Sequence, residues 1–167
     1  EDALQPYAGD VSTLLRAESQ VIAGWIEDWS TRRVGTQVLM IMLGAGAYGA
    51  AMGWWRDPSQ ALFVAIKFPL IILLTAAGNA LLNAMLAPLL GLNITLRQSL
   101  LAVLMSFAIT AAIMGAFAPI TGFIAWNAPP MTPDVKSTPT YAFIKLTHVL
   151  VIAFAGIAGN VRLFQLL

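Results

Sequence analysis

Lys67, Asn79, Asn83, Lys145, His148 and Asn160 are basic or amide side chains set within long apolar stretches. Two ammonium groups and an imidazole would together suit an anionic headgroup, and the amides can both donate and accept hydrogen bonds. No Asp or Glu lies inside those stretches, so neither lysine has an acidic partner there. The set reads as a candidate polar or anion site. The competing reading is that each lysine lies roughly 7–9 Å inside its segment, a distance its stem covers by snorkelling to the membrane surface.

Spacing gathers these residues onto helix faces. Thr75, Asn79 and Asn83 recur every fourth residue and share one face, and Ser106, Thr110 and Thr121 share a face in a later segment. Lys145, His148, Gly156, Gly159 and Asn160 fall within about a third of a helix circumference at roughly 100° per residue. Three helices are thus expected to turn polar or small faces toward one another, joined by interhelical hydrogen bonds of about 0.6–2 kcal/mol each. The functional alternative is a polar pathway or ligand pocket between them.

The same inventory excludes much chemistry. A cation-coupled transporter or proton pump ordinarily uses an intramembrane carboxylate, and these segments contain none. One histidine, no cysteine and no H-E-x-x-H leave no metal site of the usual kind. Neither a G-x-S-x-G nor a P-loop is present, and nothing in their spacing pairs Ser106 with His148. The expectation is a protein that is not an enzyme and has no cofactor.

The elements that must position these residues follow from composition. Of 167 residues, 59% are hydrophobic and 10% charged, and the mean hydropathy is +0.78. Soluble domains carry about 25% charged residues, so this chain reads as a polytopic membrane protein whose first partner is the lipid bilayer. A net charge of +1 with scattered basic residues offers no patch for nucleic acid. Four apolar segments, about 34–55, 61–90, 99–126 and 141–167, are each long enough to span, with Pro69, Pro88 and Pro119 as kink points. They form a four-helix transmembrane domain over 34–167. Residues 1–33 read as a loose leader followed by an amphipathic interfacial helix, with Asp10 as its N-cap and Trp25 and Trp29 on its apolar side.

Linkers at Arg56–Ser59 and Gly91–Arg97 are short and favour antiparallel neighbours, whereas Asn127–Pro139 holds four prolines and reads as extended. With the N-terminus cytoplasmic, Arg16, Arg32, Arg33, Arg97 and Arg162 fall inside and only Arg56 and Lys136 outside, which places both termini in the cytoplasm. Trp54, Trp55, Trp126 and Tyr141 then mark the outer interface.

Four glycines between Gly44 and Gly53 would be costly in an exposed helix, at about 1 kcal/mol each relative to alanine. In lipid they allow close backbone approach, and Ala45, Gly49 and Gly53 repeat every fourth residue as a packing stripe. Gly156 and Gly159 offer a matching surface in the last helix. The seam serves either bundle packing or self-association.

The stretches "AYGAAMG" (Ala47–Gly53), "ALFVAIKFPLIIL" (Ala61–Leu73) and "FAPIT" (Phe117–Thr121) resemble bacterial membrane proteins related to the Yip family, over about residues 34–167. Eukaryotic members of that family interact with Rab-type GTPases and carry an acidic "DLYGP" element, of which only Tyr48-Gly49 stands here. The resemblance implies a helical bundle without catalytic residues. Function is therefore expected to be that of a scaffold or accessory subunit of a membrane complex, associating with other membrane subunits or with itself. The alternative is a small channel or lipid-binding transport protein that uses the polar faces of helices two to four.

Overall fold

The computed structural model describes residues 9–13, 24, 30–130 and 138–166. Four helices account for most of them: α1 (Thr31–Trp54), α2 (Pro58–Leu86), α3 (Leu96–Asn127) and α4 (Pro139–Leu166), with a 3-10 turn, Ala87–Leu90, closing α2. All four are long and apolar enough to cross a membrane, and the protein is an integral membrane protein with an all-α bundle fold. The interfacial helix expected over residues 10–29 lies largely outside the described residues. Asp10 itself is within a helical stretch rather than at its cap, and its carboxylate pairs with Arg32 at 3.3 Å, tying that stretch to the start of α1.

Helix boundaries follow local chemistry. The Asp57 carboxylate caps α2, accepting from the Ser59 backbone N–H at 2.7 Å and from the Ser59 hydroxyl, and Pro58 occupies the first helical position. Thr95 and Gln98 form a reciprocal capping box that starts α3 three residues earlier than its apolar run. Pro88 lies within the 3-10 turn, after which Gly91 takes φ 74, a left-handed conformation that glycine adopts without steric cost. Pro69 and Pro119 both lie inside continuous helices.

α3 is the central helix and packs on α1, α2 and α4, while α1 and α2 form a second close pair. The short connections make successive helices antiparallel, as the contacts of Gly53 with Gln60 and of Gly49 with Val64 require. The core gathers Ile41, Ala45 and Tyr48 of α1, Ile72 and Ala76 of α2, Leu101, Met105 and Ala108 of α3, and Val151 and Ala155 of α4.

Glycines set the closest approaches. A Cβ on Gly44 would lie 2.6 Å from the Ala111 carbonyl carbon, and one on Gly115 would lie 2.9 Å from the Gly44 Cα. Added to Gly49 it would stand 2.8 Å from the Val64 carbonyl oxygen, and to Gly53, 2.6 Å from that of Gln60. The glycine-rich run of α1 therefore serves two neighbours on two sides, α3 and α2, and its stripe is filled within one chain. Gly159 meets α3 at Ser106 and Thr110, not α1, and a Cβ on Gly156 would touch nothing within 4 Å. The expected match between the α1 and α4 glycines is accordingly replaced by separate contacts, Gly49 and Gly53 on α2 and Gly159 on α3.

Candidate functional site

Tyr48 and His148 form the polar link between α1 and α4. The Tyr48 hydroxyl and His148 Nδ1 lie 2.9 Å apart, with the two rings edge to face at 89°. A neutral imidazole with its proton on Nε2 accepts here from the phenol. Tyr48 is fully buried, and its ring also approaches Phe68 of α2 at 6.3 Å. One tyrosine thus joins α1, α2 and α4, one helical turn beyond Gly44, where α1 meets α3.

The remaining basic candidates lie elsewhere. Lys67 is exposed on α2, in a groove of about 480 Å³ that it shares with Phe63, Ile66, Leu70, Ile71 and Leu74, all on the same helix. Lys145 is exposed on α4 with its ammonium 5.9 Å from the Tyr141 ring centroid. Lys67 faces outward from α2, Lys145 engages the aromatic end of α4, and His148 turns inward to Tyr48. The expected three-membered anion site is divided among three places.

The amides are also dispersed. The Asn160 side chain donates to the Gly156 carbonyl of its own helix at 2.8 Å. Asn79 and Asn83, with Thr75, are exposed. The expectation that this face of α2 meets other helices of the bundle is therefore corrected. A different stripe of α2, Ile72, Ala76 and Ala80, is the buried one. Alanines permit closer backbone approach than asparagines, and in lipid close approach is what draws helices together. The Ala80 carbonyl even accepts a hydrogen bond from the Ser99 hydroxyl of α3 at 3.0 Å.

The polar face of α3 is buried as expected, but its hydroxyls turn to their own helix. Thr110 donates to the Ser106 carbonyl at 2.9 Å, and Thr121 lies 3.1 Å from the carbonyls of Phe117 and Ala118. The expected interhelical hydrogen bonding is replaced there by bonds within one turn. Gln37 on α1, which the sequence reading did not single out, is 2% exposed with neither amide atom hydrogen-bonded. The available signal was an amide one turn before Ile41 and two before Ala45, on the same apolar row.

At the other end of α1 the aromatic residues expected at one interface do meet. Trp54 stacks on Trp126 with centroids 5.7 Å apart, Trp55 lies 5.8 Å from Tyr141, and the Trp55 indole donates to the Pro129 carbonyl at 3.0 Å. These contacts join α1 to the C-terminal end of α3 and the start of α4. No family model, curated protein or solved structure matches the chain.

Proposed function

We propose that the protein is a non-enzymatic scaffold or accessory subunit of a membrane complex, with both termini in the cytoplasm. The observation that carries this reading is the closure of the α1–α3 seam at Gly44 and Gly115, where a single added Cβ would stand 2.9 Å from the facing backbone. A pathway along the bundle axis would need room and free polar groups at this seam, and the buried hydroxyls of Thr110 and Thr121 on α3 already donate to carbonyls of their own helix. The polar face of α2, in contrast, is turned outward, where a neighbouring subunit can reach it. The likeness to Yip-type proteins supports the same reading in its bundle architecture alone.

Orientation rests on the basic residues: Arg32, Arg33 and Arg97 flank one end of the bundle, and Arg56, beside Asp57, the other. The functional test is reconstitution into liposomes, with ion and lipid flux expected to match protein-free vesicles. Flux above that background overturns the scaffold reading and favours the channel or lipid-transport alternative. For topology, a single cysteine at Ser59 should react with an impermeant reagent added outside, and one at Asn93 should not. The reverse pattern inverts the orientation.

A further inference from the structure

Lys67 stands in an apolar groove on α2 whose length matches one leaflet of a bilayer. The groove, about 480 Å³, is lined by Phe63, Ile66, Leu70, Ile71 and Leu74, all exposed, and by the lysine itself. Phe63 and Leu74 are separated by about 16 Å along the axis, against about 15 Å of hydrocarbon on either side of a membrane midplane. Leu74 is the middle residue of the Pro58–Leu90 span, so the groove runs from the midplane toward the end marked by Trp54, Trp55 and Arg56.

Depth fixes where the charge goes. Lys67 lies about 10 Å from Leu74 along the helix, which puts its Cα about 5 Å inside the hydrocarbon edge. Side chains on a helix lean toward its N-terminal end, and for α2 that end is the nearer surface. The lysine stem therefore carries the ammonium to the edge of the hydrocarbon, at the level where lipid headgroups begin. Among the described residues Lys67 has no ion pair or hydrogen bond. Asp57, the acidic residue on the same side of the bundle, is about 15 Å away along the helix, and its carboxylate is engaged by Ser59. Lys145 differs, since its ammonium lies over the Tyr141 ring of its own helix at 5.9 Å. A cation at the membrane boundary with an apolar groove leading inward from it is complementary to an anion that carries a tail.

We propose that a phospholipid with a net negative headgroup seats on this groove, its phosphate on the Lys67 ammonium and one acyl chain along Leu70, Ile71 and Leu74. The phosphate accepts charge-assisted hydrogen bonds from the ammonium, and the chain covers side chains that the rest of the bundle leaves exposed. A zwitterionic lipid brings its own cation to the phosphate, so the lysine selects headgroups that lack one. The inference goes beyond the scaffold reading and takes from the orientation only the name of the leaflet, the outer one.

In the full-length protein, benzoylphenylalanine placed at Phe63, and separately at Leu74, reports which lipid lies at each end of the groove. In illuminated vesicles of phosphatidylcholine and phosphatidylglycerol in equal parts, adducts at both positions should be enriched about fivefold in phosphatidylglycerol by mass spectrometry. Lys67→Met keeps the apolar stem and should bring the two lipids to parity, whereas Lys67→Arg and Lys145→Met should each retain the enrichment. Parity in the wild-type protein, enrichment that survives Lys67→Met, or an equal loss in Lys145→Met overturns the proposal. Enrichment at Phe63 without enrichment at Leu74 overturns the seating of the tail in the groove. Enrichment abolished by free inorganic phosphate at constant ionic strength marks a soluble anion as the occupant and overturns the lipid. Flux in liposomes, by contrast, would overturn the scaffold reading whatever the adducts.

Discussion

Replacing Gly44 by alanine adds one methyl group at the closest approach of α1 and α3. The new Cβ would lie 2.6 Å from the Ala111 carbonyl carbon and closer still to its oxygen, and both are backbone atoms with no rotamer to yield. Carbon atoms are comfortable at about 3.5–4.0 Å, so the two helices must part by roughly 1 Å. A gap of that size forfeits about a quarter to a half of each dispersion contact along the seam, and overpacking of this kind costs about 1–3 kcal/mol. Alanine returns about 1 kcal/mol of helix propensity. The net expectation is a loss of up to about 2 kcal/mol, with a lower melting temperature in detergent followed by circular dichroism. Gly156→Ala is the matched control, since its Cβ would meet nothing within 4 Å and only the propensity gain remains. Its melting temperature should hold or rise. A Gly44→Ala protein stabilised as much as Gly156→Ala, both variants shifting together, would refute the argument that backbone contact at Gly44 sets the α1–α3 distance.

Gln37→Met keeps the length of the side chain and removes a buried amide that has no partner, so stability in the same assay should rise by about 1–3 kcal/mol; a loss would mean that the amide is satisfied in the bilayer. Tyr48→Phe removes the hydroxyl that joins α1 to α4 and should cost about 0.6–2 kcal/mol, with His148→Phe adding little further if the two residues act as one unit in a double-mutant cycle. The Ser59 hydroxyl and backbone N–H bound to Asp57 hold its carboxyl below the ordinary carboxylate range. Its capping contribution is therefore complete above an unfolded value of about 3.9 and disappears as pH falls through the lower folded value, so thermal stability should decline on that acid limb and Asp57→Asn should flatten it.

The number of spans, their extents to within a few residues and the shortness of two connections were legible in the sequence, because each depends on local features. An apolar run long enough to cross a bilayer becomes a helix since no water is present to satisfy its backbone otherwise. Asp57 with Pro58, and Thr95 with Gln98, place the ends through contacts within three residues. The gathering of these aromatic residues at one end of the bundle was legible as well, although their pairing as Trp54 with Trp126 and Trp55 with Tyr141 was not.

Which face meets which neighbour was decided only by the tertiary structure. These helices are apolar on nearly every side, and lipid does not distinguish one apolar face from another as water would, so the sequence pattern carries little directional information. Shape decided instead. Gly44 found Gly115 and Ala111, partners far along the chain that no spacing rule connects to it, while Gly49 and Gly53 took α2. On α2 the alanines at 76 and 80 offered a closer approach than the asparagines at 79 and 83, so the stripe that looked chemically suited to the interior was left on the surface. Tyr48 met His148 across 100 residues of sequence because α3 holds α1 and α4 against its two sides, a juxtaposition that belongs to the packed bundle and to no single helix.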